Sequence, residues 1–212
     1  MMSLKSFAGM VLCLATTVVI AAPSSEENVT VREVAFDGCH FKMADAYNGS
    51  LTLTTDGAPP LANYHAEINP KARHPFETWI QFSCQNPVTE KTLSELAGLK
   101  MTDKGWALDS SPDSIGLPEA HTTFYPLHGK NWEAGGVTQD DVNGDEDRRT
   151  RVFAFCIPHN KLALCGVVRD VAYLSHLNES VLPQVIQLLE SIEFIDAPSG
   201  LASSGTATSP HE

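Results

Sequence analysis

The sequence predicts an α+β protein, an antiparallel sheet sandwich with two main helices that disulfides staple together. Two sequence patterns and the number of cysteines predict this fold. About seven to nine segments have the alternation or β-branched content of strands. Long stretches of strand precede each of two helical segments, which favours an α+β sandwich over a doubly wound fold. Four cysteines remain once a predicted export signal is removed, and an even number favours disulfides.

Residues 1–22 have the layout of a secretory signal peptide. A single base, Lys5, precedes an apolar run from about residue 7 to residue 20, and Ala21 and Ala22 follow it. We expect cleavage after Ala22, because the apolar run is short for a membrane span; an uncleaved anchor is the alternative. No later segment reaches about 18 uninterrupted apolar residues, so we expect no membrane span after cleavage. The predicted location is periplasmic or secreted.

Residues 23–196 are predicted to form a single α+β domain, and residues 197–212 a disordered tail. The tail is rich in small and polar residues, which bury too little apolar surface to offset the entropy lost on ordering. The remaining chain is long enough for one ordinary domain with its own core.

The charge balance is acidic throughout. Lys and Arg number 14 against 26 Asp and Glu, for a formal charge of −12, and removal of the signal takes away one base and no acid. Binding to a phosphate backbone or to an anionic membrane needs clustered bases, so we expect neither. An acidic surface instead favours association with a basic protein.

The four remaining cysteines allow three disulfide connectivities. Residues 151–156 and 162–168 are predicted strands of one hairpin, in which Cys156 and Cys165 point to the same face. Direct opposition would bring them within disulfide range. We therefore favour Cys156–Cys165, which leaves Cys39–Cys84. Zinc is not favoured, since no C-x₂-C pair is present.

The first half of the chain is predicted to be mainly strand. Residues 29–36 and 39–43 flank the turn Asp37-Gly38, and residues 51–54 form a further strand. Four prolines make residues 56–75 a predicted loop. In the alternating strand 78–84, Trp79 faces away from Ile80 and Phe82. We expect it to pack under a helix; the alternative is that it is exposed for binding.

The first helix is predicted to begin at Asn86-Pro87, with Asn86 as its N-cap, and to end at Gly98. Residues 99–119 are mixed in composition and are predicted to be mostly loop. Strands follow, and then the clearest helix, whose apolar residues recur at spacings of three and four. The predicted strands are 120–127, 132–142, 149–156, 162–168 and 191–195, and the apolar helix positions are 177, 181, 185, 188, 189 and 192.

The last third of the chain runs strand, turn, strand, loop, helix and a short terminal strand. Its ending, residues 185–194 (VIQLLESIEF), resembles the close of PsbP-like α/β/α sandwich domains. The likeness covers roughly 45 residues. That family holds mostly non-enzymatic accessory and interaction proteins, so the resemblance implies a binding role and assigns no functional residue.

The densest acidic segment is residues 140–147. Asp141, Asn143 and Asp145 occupy positions 1, 3 and 5 of a calcium-loop pattern, which makes them candidate calcium ligands. The pattern then fails, since Glu146 stands where the loop needs Gly and Val152 where it needs a bidentate acid. The alternative is a solvated hairpin tip with Asn143-Gly144 as a type I′ turn.

No catalytic constellation is visible. The patterns G-x-S-x-G, S-x-x-K and H-E-x-x-H are absent, and the histidines are scattered. The leading hypothesis is an exported, non-enzymatic protein-binding domain, in one version an immunity-type inhibitor of a toxin that acts in the periplasm. The alternatives are a secreted hydrolase whose site residues are distant in sequence and a weak calcium-dependent binder. The candidate partner-binding residues lie where acidic and basic residues are close together in the sequence: Asp140, Asp147, Arg148 and Arg149.

Overall fold

A computed structural model describes residues 29–56, 59–111 and 118–196. The predicted signal peptide and the predicted tail both lie outside these residues. The described chain is mainly strand, with two α-helices and three short 3₁₀ turns. The elements are β1 (Thr30–Phe36), β2 (Cys39–Asp45), β3 (Ser50–Thr54), β4 (Leu61–Ala66), β5 (Thr78–Gln85), α1 (Glu90–Ala97), β6 (Leu99–Thr102), β7 (Gly105–Leu108), β8 (Thr123–His128), β9 (Glu133–Asp140), β10 (Thr150–His159), β11 (Leu162–Tyr173), α2 (Leu182–Glu190) and β12 (Glu193–Phe194).

The strands form three antiparallel sheets, which confirms the α+β class. The largest has seven strands in the order β3-β4-β5-β11-β10-β9-β8. A second contains β1, β2 and β12, and β6 pairs with β7 as a separate ribbon. Every strand pair is antiparallel, with a register shift in β10–β11 between Arg151 and Phe153. Among the described residues, no helix is long and apolar enough to cross a membrane.

The larger core lies between the seven-stranded sheet on one side and the three-stranded sheet with α2 on the other. Alternate residues of each strand point into it, as a half-buried sheet requires. Phe41, Phe82, Phe153 and Phe155 are fully buried there and contact one another edge-on or stacked. Each such side chain contributes on the order of 1.5–3 kcal/mol by leaving water.

The smaller core covers one end of the opposite sheet face. Leu93 and Ala97 of α1 and Leu99 of the ribbon pack there against Val137 and the Cys156–Cys165 bridge. α1 and α2 therefore lie on opposite faces of the seven-stranded sheet. The rest of the outer face receives no second layer from the described residues.

Both disulfides have the pairing that the sequence favours. Cys156 and Cys165 stand directly opposite each other in the β10–β11 hairpin. Cys39 of β2 is bonded to Cys84 of β5, and so ties the three-stranded sheet to the seven-stranded sheet. Disulfides persist in oxidising compartments, so both bonds fit an extracytoplasmic protein.

A buried acid joins three strands of the larger core. Asp45 accepts hydrogen bonds from the Tyr64 hydroxyl at 2.7 Å, from the Tyr47 amide at 2.9 Å and from Arg32 Nε at 3.1 Å. Asp45 and Tyr64 are completely buried. Burial first, and then the hydrogen bond to Asp45, raise the pKa of the Tyr64 hydroxyl far above its ordinary value. The Tyr64 hydroxyl therefore stays protonated and remains a donor to Asp45.

The prediction of a loop over residues 56–75 is wrong in one part, because β4 occupies Leu61–Ala66. The prolines flank this strand and do not interrupt it. Ala62, Tyr64 and Ala66 face the core, and two of the three are alanines, which give a weak alternation signal. The expected loop over residues 99–119 likewise contains the β6–β7 ribbon.

The first helix begins later than predicted. Thr89, not Asn86, is the N-cap, and its side chain accepts a hydrogen bond from the Thr92 amide at 3.1 Å. The Asn86–Pro87 peptide bond is cis and precedes the helix. Gly98 ends it in the left-handed conformation, as predicted.

The second helix begins at Leu182, and Leu177 belongs to the preceding 3₁₀ turn, Leu174–Glu179. Ser180 Oγ accepts a hydrogen bond from the Leu182 amide at 3.3 Å, and so gives an acceptor to an N–H group at the start of the helix. Pro183 sits in the first turn, where no intrahelical bond needs its N–H.

Candidate functional site

The uncovered part of the outer sheet face is the candidate site, and we call it the open face. It consists of the outward positions of β4, β5, β11, β10 and β9 beyond α1 and the ribbon. The side chains that define it are those of Asn63, Trp79, Gln81, Val152, Val167, Arg169 and Gln139. In β5 the outward residues alternate with the core residues Ile80, Phe82 and Cys84.

Trp79 is the largest side chain on the open face, and half of it is exposed (50%). The His65 ring packs against it at a tilt of 40°, with ring centroids 4.4 Å apart. His65 Nε2 in turn lies 2.9 Å from a Glu77 carboxylate oxygen, within ion-pair distance although not aligned as a hydrogen bond. The expectation that Trp79 packs under a helix is wrong, because α1 covers only the other end of this face.

A depression of about 390 Å³ lies beside Trp79. Its walls combine the apolar Trp79 and Val167 with polar side chains, of which two amides are in contact: Gln81 Nε2 donates to Asn63 Oδ1 at 3.4 Å. Arg169 of β11 is exposed and lines the same depression. Within the part of the chain that the structure describes, its guanidinium makes no hydrogen bond or ion pair.

The depression continues in two directions. Towards α1 it meets a hollow of about 430 Å³ next to Leu96, an apolar side chain that is 44% exposed. Towards the loop after β9 it opens into a second hollow of about 700 Å³, lined in part by Asp141 and Asp170. The open face therefore has an end at α1 where Leu96 lies among charged and polar side chains, a centre with Trp79 and Arg169, and an acidic end.

Asp140, a predicted partner-binding residue, is instead buried and internally paired at the acidic end. Its carboxylate accepts two hydrogen bonds from Arg151, at 2.6 and 3.0 Å, and lies 3.1 Å from His121 Nδ1. The hydrogen bond to Asp140 raises the pKa of the Arg151 guanidinium, although partial burial opposes it. Asp140 therefore fixes the end of β9 against β10.

The other three predicted partner-binding residues lie in the loop between β9 and β10. Asp147 and Arg148 are exposed, and Arg148 Nε is 3.9 Å from Asp145. Arg149 is less exposed, lies 3.8 Å from Glu146 and donates to the Gly144 carbonyl at 3.3 Å. Exposed ion pairs of this kind contribute little to stability, so these charges are accessible to a partner.

Two of the predicted calcium ligands accept hydrogen bonds from backbone amides of their own loop. Asp141 Oδ1 accepts from the Asn143 amide at 2.9 Å, and Asp145 Oδ1 accepts from the Asp147 amide at 3.3 Å. No group of three or more His, Cys, Asp and Glu residues able to hold a metal occurs in 29–56, 59–111 and 118–196. The type I′ turn expected at Asn143-Gly144 is also wrong, since only Gly144 has a positive φ.

Two histidine groups bear on the hydrolase alternative. His121, beside Asp140, lines a hollow of about 730 Å³, but its side chain is 74% exposed, and no serine, threonine or cysteine is among the described residues that line it. His74 lies 3.0 Å from His176, Nε2 to Nε2, and 3.2 Å from Glu179. Partial burial raises the Glu179 pKa, but hydrogen bonds from the amide and ring of His74 outweigh it and lower the pKa overall. Neither group places a nucleophile beside a base.

No protein-family model, curated protein or solved structure matches this chain. The resemblance of its last third to PsbP-like domains stays a prediction.

Sequence reasoning named Trp79 as a possible exposed binding residue but missed its neighbours at the centre of the open face. Trp79, Gln81 and Ser83 share the polar side of β5, which the alternation of that strand predicts. Their neighbours across the sheet, Asn63 and Arg169, come from strands that are distant in sequence. Only the strand order brings these residues together, and a single sequence does not reveal it.

Proposed function

We propose that the protein is an exported, non-enzymatic protein-binding domain that holds a basic partner protein against the open face. One observation carries the proposal: Trp79 and Arg169 are both exposed and line one depression on a sheet face that the helices leave uncovered. Tryptophan and arginine are the side chains most enriched among residues that dominate protein–protein binding energies.

The chemistry of the face suits a protein partner better than a small molecule. Its hollows are partly open to solvent, share lining residues and mix apolar with polar walls, whereas small-molecule sites are enclosed and mostly apolar. Polar side chains around a central aromatic anchor are typical of non-obligate interfaces. Covering Trp79 and Leu96 would remove apolar surface from water.

The charge of the acidic end favours a basic partner. Glu119, Asp141 and Asp170 line its hollows and make no ion pair within the described residues. With a formal charge of −12 on the chain, the long-range field also attracts a basic protein and raises its association rate. The exposed Asp147 adds to this field.

In its most concrete version the proposal is an immunity-type inhibitor that neutralises a toxin acting in the periplasm. Two disulfides support an oxidising compartment. The proposal includes the two-helix sandwich architecture, with α1 and α2 on opposite faces of the large sheet. The hydrolase alternative is less well supported, because the His121–Asp140 pair faces no nucleophile among the described residues.

Site-specific photo-cross-linking in cells that naturally produce the protein tests the proposal. A photoreactive amino acid replaces Gln81 on the open face, and Val31, exposed on β1, gives the matched control position. We expect a protein adduct from position 81 and none from position 31. The adduct should disappear in a Trp79→Ala background and weaken as the salt concentration rises.

Once the partner identified in this way is purified, its binding affinity tests the energetic contribution of Trp79. Trp79→Ala should weaken binding at least about 30-fold, which corresponds to roughly 2 kcal/mol, whereas Val31→Ala should leave it unchanged. Equal cross-linking at positions 31 and 81, or an affinity that Trp79→Ala leaves intact, would overturn the proposal.

A further inference from the structure

The β3 edge of the seven-stranded sheet is unprotected. Among the residues that the structure describes, β3 pairs with β4 alone, and no strand pairs with its other row of backbone N–H and C=O groups. Proteins normally protect such an edge with lysine, proline or a bulge. β8, at the opposite edge, contains Pro126, whereas Ser50–Thr54 contains no charge and no proline, and its register with β4 has no bulge.

The sequence of β3 is self-complementary in an antiparallel arrangement. A two-fold axis at Thr52 places Leu51 opposite Leu53 of a second copy and Ser50 opposite Thr54 of that copy. Leu51 and Leu53 lie on the core side of the sheet, and Leu53 is 49% exposed. Pairing would therefore cover an exposed leucine with a leucine and align hydroxyls on the other face.

We infer that two copies of this chain associate edge to edge through β3, with Thr52 on the two-fold axis. We take the partner to be a second copy because the β3 sequence is complementary to itself, with leucine opposite leucine and hydroxyl opposite hydroxyl. The same residues of both copies then form the contact. It is also uncharged in a chain of formal charge −12, so this edge avoids the repulsion that would oppose most other self-contacts. The inference does not depend on the proposed function.

The seam is small, and this limits its strength. Alternate antiparallel pairs exchange two hydrogen bonds each, so five residues supply about four to six across the axis. An interface below about 1,000 Å² is typical of weak association. We expect a dissociation constant on the order of 10–1,000 µM.

Sedimentation velocity of the purified protein over this concentration range tests the association. Thr52→Lys should abolish it, because two lysines then meet directly on the axis. Thr52→Glu should also be monomeric, and an equimolar mixture of the two variants should dimerise again. Thr123→Lys, at an exposed position of the other edge strand, is the matched control and should associate like the unmodified protein.

A cysteine pair tests the register independently. Residues on the axis have Cα atoms about 4.5–5.5 Å apart, within disulfide range, so Thr52→Cys should form a covalent dimer on oxidation. Thr54→Cys should not, because its two copies are about 14 Å apart. A monomer throughout the concentration range, association that Thr52→Lys leaves intact, or cross-linking at 54 in preference to 52 would each overturn the inference.

Discussion

Loss of the Cys39–Cys84 disulfide should destabilise the protein more than loss of Cys156–Cys165. The two bonds span sequence separations of 45 and 9 residues. A disulfide restricts the unfolded chain in proportion to the logarithm of the loop that it closes. At 25 °C this amounts to about 4.0 kcal/mol for the longer loop and about 2.6 kcal/mol for the shorter one.

The folded structure supports the same order. Cys156 and Cys165 lie within a hairpin that pairs from Thr150 to His159, so its strands stay aligned without the bond. Cys39–Cys84 joins two different sheets, which otherwise contact each other through side chains of the larger core. All four cysteines are buried, so paired Cys→Ala replacements remove the same atoms in each case and the difference reports mainly the loops.

Urea denaturation of the two double-alanine variants measures this difference. We expect the free energy of unfolding to be lower for the Cys39/Cys84 variant by about 1.4 kcal/mol, with similar m-values. Equal stabilities, or the opposite order, would show that loop closure does not govern these two bonds. A changed m-value would indicate a change in the unfolded state instead.

Three further outcomes are expected. Asp45→Ala should cost about 3–5 kcal/mol of stability, because it removes the Asp45 carboxylate that accepts from the buried Tyr64 hydroxyl and from Arg32. Tyr64→Phe should cost about 1–2 kcal/mol, and urea denaturation measures both variants. Hydrogen bonds from Lys42 and Lys130 lower the Glu193 pKa below 4.5. The Glu193 carboxylate therefore stabilises the fold above that pH, and its contribution is lost as the pH falls below it. Glu193→Gln should have the same free energy of unfolding as the unmodified protein only at acid pH. Calorimetry at millimolar calcium should show no saturable heat, and a heat abolished by Asp141→Ala would contradict the loop geometry.

The fold was predictable where one strand or hairpin carried its own signal. The Asp37-Gly38 turn has the positive φ angles of a tight hairpin at both residues. Strand parity put Cys156 and Cys165 on one face of their hairpin, and the register places them directly opposite each other. β4 was missed because its inward alanines give little hydrophobic contrast. The N-cap of α1 was misplaced because Asn86-Pro87 matches a helix start, yet Thr89 three residues later has the favourable side-chain contact.

The candidate site was much less predictable than the fold. The acidic segment 140–147 was visible in the sequence, but its roles were not, since Asp140 turns inward to Arg151 while Asp147 stays exposed. Trp79 was misassigned because alternation gives the side of the sheet, not whether a helix covers that side. Coverage depends on where α1 docks, which is a tertiary property.

The β3 seam and the open face together make a prediction about partner binding. A continuous sheet across the seam puts both open faces on the same side. The two Trp79 residues are then about 28 Å apart, because they are separated by five strand spacings across the sheet and by four residues along the strands. The affinity of Thr52→Lys for a dissolved monovalent partner gives the reference value for a single site, because position 52 lies two strands from Trp79 but beside Asn63 of the open face. On a surface densely coated with the same partner, the unmodified dimer should dissociate at least about tenfold more slowly than the variant, since two sites bind together. Equal dissociation rates on that surface would show that the two faces do not act together, even if the dimer forms.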